Sequence, residues 1–351
     1  MNLDDLERFR QIDVDDMLSH IQGLPQQLQD AWQLGLKQPL PVVDQLQSII
    51  IAGMGGSAIG ADLLAAYVAP LCSVPVVVHR DYDLPAWASG PHTLVICSSH
   101  SGNTEETLSS FELAKKKGCA ILTLSTGGKL AEAARSAGLK PWIFEHHGMP
   151  RAAVGFSFGL LLALFSRLGL IPDAGQELAE ALQVMRQLQT FLEPEVTVVN
   201  NPAKRMAGQL VGRYVTIIGS GYLAPVSRRW KGQLNEVAKA WGQFDFLPEG
   251  DHNTLVGLVF PAELLQKMTV LFLRAPSDHP RNHLRADLTR KIFMQEGINT
   301  DFIDARGVGA LAHIWSLLLF GDYMAYYLAM AYEIDPTPID ALLGFKEAML
   351  G

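Results

Sequence analysis

Short runs of branched apolar residues punctuate the first half of the chain, with helix-like segments between them. "SIIIAG" (48–53), "VPVVVH" (74–79), "TLVIC" (93–97) and "CAILTLS" (119–125) read as strands, and "KPWIFE" (140–145) as a fifth. Segments such as "TEETLSSFELAKKKG", closed by Gly118, read as the intervening helices. Strands that alternate with helices in this way form a parallel sheet with helices on both faces. The expected fold class is therefore α/β, with a doubly wound parallel sheet in three αβα layers.

The second half repeats the scheme. "YVTIIGSGYLAPVSRRWKGQLNEVAKAW" has the form of "SIIIAGMGGSAIGADLLAAY", and "MTVLFLRAPSDHPRNHLRADLTRKIFMQEGINTDFIDA" that of "TLVICSSHSGNTEETLSSFELAKKKGCAILTLS". Two such domains in tandem are expected, with additional helices. Residues 1–152 hold N-terminal helices and the first domain. Residues 153–351 hold linking helices, the second domain and a C-terminal helix. At 351 residues and 48% hydrophobic content the chain can bury a core in each.

A formal charge of −8 argues against nucleic acid or an anionic membrane as partner, since both call for a basic face. Cys72, Cys97 and Cys119 are scattered and odd in number, which suits a reducing cytoplasm and supplies no zinc ligand set. The acidic opening "MNLDDLERFRQIDVDD" lacks the apolar core of a signal peptide. "AAVGFSFGLLLALFSRLGLI" and "LAHIWSLLLFGDYMAYYLAMAY" are apolar enough to raise the question of a membrane span. Arg167 in the first, and His313 and Asp322 in the second, favour buried helices instead. The expected location is cytoplasmic.

Two glycine-rich turns follow strands. In "GMGGSAIG" (53–60), Gly55, Gly56 and Ser57 lie where a parallel sheet collects ligands, as do Ser99, Ser101, Gly102 and Thr104 of "SHSGNTEET". Glycine lets a ligand approach the backbone and the hydroxyls donate to it, so a phosphate can be seated without a lysine or a metal. The plainer reading is that Ser101 or Asn103 caps the next helix, with Glu105 and Glu106 at its positive end. Capping leaves the extra hydroxyls unexplained. The second half has "RAPSDHPRNHL" at the matching place, which implies one phosphate site per chain. "GMGGSA" also fits a dinucleotide fingerprint, but Asp81 and Asp83 come too late for its acidic partner, and no GK[ST] supports a P-loop.

The two turns resemble the sugar isomerase (SIS) domain, whose SxSGNTxET signature "SHSGNTEET" fits throughout. With "PRAAVGFSFG" (150–159), "NEVAKAWGQFDFLPEGDHNTLVG" (235–257) and "DPTPIDALLGFKEAML" (335–350), most of residues 48–350 resembles the bifunctional phosphoglucose/phosphomannose isomerase family. The resemblance implies that Ser57, Ser99, Ser101 and Thr104 surround a phosphorylated hexose, Ser99 and Thr104 nearest the phosphate. It implies Arg151 near the C1 and C2 oxygens, Glu236 as the base, and His252 and Lys346 acting on the sugar ring. It also implies a homodimer in which His252 reaches the neighbouring chain's site. His100 departs from the family's usual aromatic residue and Thr254 from its usual acid.

An aldose–ketose interconversion moves a proton between C2 and C1 through an enediolate. It calls for a carboxylate beside both carbons, a cation near the oxyanion and an acid/base to open the ring, with no metal or organic cofactor. Taken alone, Glu236 and Lys239 read as a surface pair three residues apart, and Lys346 as a solvated side chain. His252 would end a local helix and Arg151 would bind helix carbonyls. His146 and His147 lack a third ligand for a metal, and His279, His283 and His313 read as structural or exposed. A non-catalytic phosphosugar-binding SIS regulator is the rival class: it would keep the seat without needing Glu236, Arg151, His252 and Lys346 together.

Overall fold

A computed structural model describes residues 2–350. The first elements in chain order are α1 (Leu6–Ile12), α2 (Met17–Gln22), α3 (Leu24–Gly35), β1 (Ser48–Ala52), α4 (Gly55–Val68), β2 (Val76–His79) and β3 (Thr93–Ser98). They are followed by α5 (Glu105–Lys116), β4 (Ala120–Ser125), α6 (Gly128–Ser136), β5 (Trp142–Ile143), α7 (Val154–Arg167) and α8 (Gly175–Leu192). Next come α9 (Pro202–Leu210), β6 (Tyr214–Ser220), α10 (Ala224–Glu236), β7 (Gly242–Leu247), α11 (Ala262–Leu265) and β8 (Met268–Arg274). The last are α12 (Pro280–Gln295), β9 (Asn299–Asp304), α13 (Ala310–Ala331) and α14 (Asp340–Leu350). All five expected strands of the first half are present, the fifth reduced to two residues.

Two compact units form, residues 23–182 and residues 1–22 with 183–351, so the division does not fall at 152/153 as expected. The physical reasons are packing partners. α7 stays with the first sheet because Gly155 and Gly159 let it lie directly on α3: a Cβ at Gly159 would come within 2.7 Å of the Ala31 Cβ. The N-terminal residues join the later unit because the buried Lys204 ammonium bonds Asp4 at 3.0 Å and Phe9 packs edge-on against Tyr326.

In the 23–182 unit the sheet is wholly parallel, in the order β2-β1-β3-β4-β5. β3 is buried along its whole length, as a central strand covered on both faces must be. Ile50, Val95 and Cys97 point to one face and pack with Phe111 of α5 and Leu130 of α6. Chain direction across the sheet reverses between β1 and β3. Helices diverge there to opposite faces and leave a crevice beyond the strand ends.

The other unit repeats this order one strand short, β7-β6-β8-β9, again wholly parallel. Ile218, Val270 and Phe272 pack with Ala286 and Phe293 of α12 on one face. On the other face α10 meets α13, where the Trp230 indole donates to the Leu317 carbonyl at 2.9 Å. α13 is long and apolar enough to cross a membrane, yet 94% of its apolar window is buried in the protein. Its Asp322 is held by Arg229 through two bonds, of 3.3 and 2.8 Å, with both side chains only 4% exposed. Burial raises the carboxyl pKa and Arg229 opposes that rise.

Asp322→Ala should therefore strand a buried guanidinium and cost about 3–5 kcal/mol of stability. Urea unfolding measures this, and a loss below about 1 kcal/mol would mean the pair is effectively solvated.

Candidate active site

The turn after β3 begins at the crevice of the first sheet. Ser99, only 2% exposed, accepts Gly102 N–H on its carbonyl at 3.1 Å, and its Oγ lies 2.8 Å from Thr104 Oγ1. Thr104 is the N-cap of α5 but makes no capping bond through its side chain. Neither Ser101 nor Asn103 caps it: Ser101 Oγ accepts from Asn103 N at 3.2 Å, and Asn103 Oδ1 accepts from Lys129 N at 3.2 Å. The N–H groups of the first turn of α5 thus point into the crevice without a capping side chain, beside two hydroxyls bonded to each other. That is an anion-binding arrangement.

Three further segments hold this turn in shape. Ser57 Oγ, in the first turn of α4, accepts from His100 N at 3.2 Å. The His100 carbonyl accepts from both Thr126 N at 2.9 Å and Thr126 Oγ1 at 2.7 Å. Gly102, at φ +68°, lies so close to the next loop that a Cβ would fall 1.9 Å from the Gly127 oxygen. Gly56 also sits close to backbone, with the Pro150 oxygen 2.5 Å from where its Cβ would be, while Gly55 opens α4 at φ +50°. The 126–130 loop is a part of the site that the sequence reading missed. Its signal was "TGG" directly after β4, a third glycine turn at a strand's carboxyl end.

Arg151 belongs to the same unit, in a 3-10 turn (Pro150–Ala153) before α7, and is 3% exposed. In the segment that leads to it, His146 Nδ1 lies 3.0 Å from His100 Nε2. Burial pulls the His100 imidazole below its ordinary value.

The remaining candidates lie in the other unit. Glu236 ends α10 and is half-buried; the neighbouring Lys239, at φ +54°, donates to the Glu236 carbonyl and to Pro336 O at 3.1 Å. His252 is exposed in a short turn (Glu249–His252) after β7. That turn is pinned by Asp251, which accepts from Arg285 at 2.8 Å and Thr289 at 2.7 Å, both on α12. Thr254 donates to Asp245 Oδ2. Lys346 is exposed on α14.

These positions separate Glu236 from His252. Asp245 and Leu247 face α12, whereas Phe244 faces α10, where the Arg228 guanidinium covers its ring at 5.0 Å. Glu236 therefore lies on one face of the β6–β9 sheet near its amino end, and the His252 turn on the other face, following the carboxyl end of β7. The matching turn of this sheet is filled by its own side chains. Asp278 Oδ2 accepts from Ala275 N at 2.8 Å, and His279 Nδ1 caps α12 by accepting from Arg281 N at 3.1 Å. Burial raises Asp278. His313, fully buried, bonds Tyr222 at 3.0 Å and Ser277 at 2.9 Å.

A protein from Caldicellulosiruptor bescii named bifunctional phosphoglucose/phosphomannose isomerase is 39% identical over 325 residues, 92% of this chain and 96% of its own length. This chain belongs to the bifunctional phosphoglucose/phosphomannose isomerase family. A second relative of that name, from Aquifex aeolicus, is 32% identical over 308 residues, covering 86% of this chain and 90% of the relative. The model of the bacterial phospho-glucose isomerase C-terminal SIS domain matches residues 199–349, the stretch that holds Glu236, His252 and Lys346. Among solved structures, a hypothetical protein from Thermus thermophilus superposes with a TM-score of 0.73 at 16% identity, covering 95% of this chain and 91% of that one. At that identity the likeness speaks for the fold alone. Within the family's frame, His100 is the seat residue that most needs a physical account.

Its neutral imidazole also sets a pH dependence. Below the ordinary value of 6.5, the unfolded chain takes up a proton that the native His100 resists. The stability this group contributes is complete above that value and is lost as pH falls through it towards the lower native value. Thermal midpoints between pH 7.5 and 5 should fall more steeply for the wild type than for His100→Gln; parallel slopes would show that His100 titrates freely.

Proposed function

We propose that this chain is an aldose–ketose isomerase that interconverts glucose 6-phosphate and mannose 6-phosphate with fructose 6-phosphate. The observation that carries the reading is the uncapped first turn of α5 beside the bonded pair Ser99 and Thr104. In this reading, Ser57 and Ser101 complete the seat with the backbone at Gly55, Gly56 and Gly102, in the first of two SIS-type domains in tandem. Family membership and the presence of Arg151, Glu236, His252 and Lys346 favour an enzyme over a non-catalytic phosphosugar-binding regulator.

We assign the steps as follows. His252 and Lys346 move protons on the ring oxygen and the C1 hydroxyl to open the sugar. The Glu236 carboxylate removes the C2 proton of the aldose, and the electron pair passes into the C1–C2 bond as the C1 carbonyl becomes an oxyanion beside Arg151. The C2 hydroxyl proton passes to the C1 oxyanion, and the resulting carboxylic acid returns its proton to C1 as the C2 oxygen becomes the carbonyl, which gives the ketose. C2 is planar in the enediolate, so both epimeric aldoses share that intermediate, and rotation about the C2–C3 bond turns the C2 proton of either one toward the same carboxylate. The steps call for no metal and no organic cofactor. Phosphorylated substrates and three free cysteines fit a cytoplasmic enzyme.

The separation of Glu236 and His252 supports a homodimer with shared sites. They lie on opposite faces of one sheet, and β7 spans roughly 20 Å between the levels at which they leave it. In this reading His252 reaches the site from a second copy, not from the chain that supplies Glu236. The α12 face nearest that turn carries an apolar stripe for such a copy: Leu284, Leu288 and Ile292, spaced four apart and 36–51% exposed.

The test uses both residues. Glu236→Gln and His252→Ala homodimers should each lose about 10²–10⁴-fold in kcat on both aldoses, Glu236→Gln with little change in KM. Unfolded and refolded as a mixture, they form heterodimers with one doubly damaged site and one intact site, which restores roughly a quarter of wild-type sites at random pairing. Heterodimers that form and stay inactive would place both residues in one chain's site. Wild-type turnover in Glu236→Gln would remove Glu236 as the base.

A further inference from the structure

His100 is bonded through its N–H, its carbonyl and its side chain at once. The N–H goes to Ser57 and the carbonyl to Thr126, which fixes the backbone between Ser99 and Ser101. The imidazole packs against Phe144 and His146. Its Nε2 lies 3.0 Å from His146 Nδ1, with the rings at 83°, so one nitrogen donates and the other accepts. A stacked pair of phenylalanines holds both imidazoles in place: Phe144 and Phe156 lie 4.9 Å apart at 18°, His100 meets Phe144 edge-on, and His146 meets Phe156 in the same way.

His146 lies five residues before Arg151. The bond therefore ties the turn that holds the phosphate to the segment that carries the guanidinium assigned to the C1 and C2 oxygens. A hexose phosphate has a fixed length, so the distance between these two anchors decides how C2 is presented. We infer that the His100–His146 hydrogen bond sets the spacing between the phosphate seat and Arg151, and with it the balance of turnover between the two C2-epimeric aldoses. The epimer arm of this inference rests on the isomerase reading. Neither imidazole touches the reacting atoms; both are positioning residues. A misplacement of about 1 Å can cost up to 10²-fold in rate, and the two epimers pay unequally because they differ at the carbon displaced.

Four variants separate positioning from general damage. His100→Phe and His146→Phe keep an aromatic ring in the cluster and remove the bond. His100→Gln and His146→Asn restore a polar atom near Nε2 and Nδ1. The ratio of kcat/KM for glucose 6-phosphate to that for mannose 6-phosphate should shift roughly threefold or more in both Phe variants and return towards the wild-type ratio in the Gln and Asn variants. A Phe-variant ratio equal to the wild type, or a shift that the amides leave uncorrected, would overturn the inference. Hydrogen exchange gives a second readout that needs no turnover. Amides of 99–104 and of 146–151 should both exchange faster in each Phe variant; loosening confined to the substituted segment would show that the bond couples nothing. If the wild type isomerised neither aldose, the isomerase reading would fall, and exchange would still decide whether the bond fixes the two segments.

Discussion

The structure turns on an unsatisfied helix end. An α-helix begins with N–H groups that have no partner in the helix, and a side chain from the N-cap can satisfy them. In α5 the N-cap is Thr104, whose hydroxyl is instead paired with Ser99. The partial positive charge of the helix end is thus left for a ligand, at the point where the winding of the sheet reverses and opens a crevice. On the proposed reading, a chain with a net charge of −8 holds a phosphate there because the field that matters is local.

Holding that end open requires rigid surroundings. Gly56 and Gly102 allow backbone to pass at distances that a Cβ would forbid, and His100 joins the α4 turn, the 126–130 loop and His146 through three different atoms. The second sheet shows what happens without these features. At the matching turn, His279 bonds a free N–H of α12 itself and Asp278 bonds the turn's own Ala275 N–H, so the same topology makes a self-capped end. The fold supplies the location and a handful of side chains decides whether it can bind an anion.

Much of this was legible in the sequence. The strand runs and the SGNT turn announce themselves through branched residues, glycines and hydroxyls, which act locally. The domain division was less legible, since nothing in "PRAAVGFSFG" states that Gly155 and Gly159 will seat α7 against α3, and nothing in the N-terminal residues announces the Lys204–Asp4 pair. The 126–130 loop was missed because "TGG" carries no chemistry until its backbone meets Gly102 and Asn103. The His100–His146 bond spans 46 residues and exists only once the sheet sets the ends of β3 and β5 on either side of β4. The placement of Glu236 and His252 on opposite faces likewise follows from strand alternation and crossover direction rather than from the NE and DHN motifs.

The central claim is that the first turn of α5, with Ser99 and Thr104, binds the phosphate of a sugar. Calorimetric titration of fructose 6-phosphate into the wild type, Ser99→Ala and Thr104→Ala addresses it without reference to catalysis. A hydrogen bond to a charged group is worth about 1.5–3 kcal/mol, so each alanine should weaken binding roughly tenfold or more. Unphosphorylated fructose should give no measurable heat of binding. Unchanged affinity in both variants, or fructose bound as tightly as its 6-phosphate, would contradict the claim.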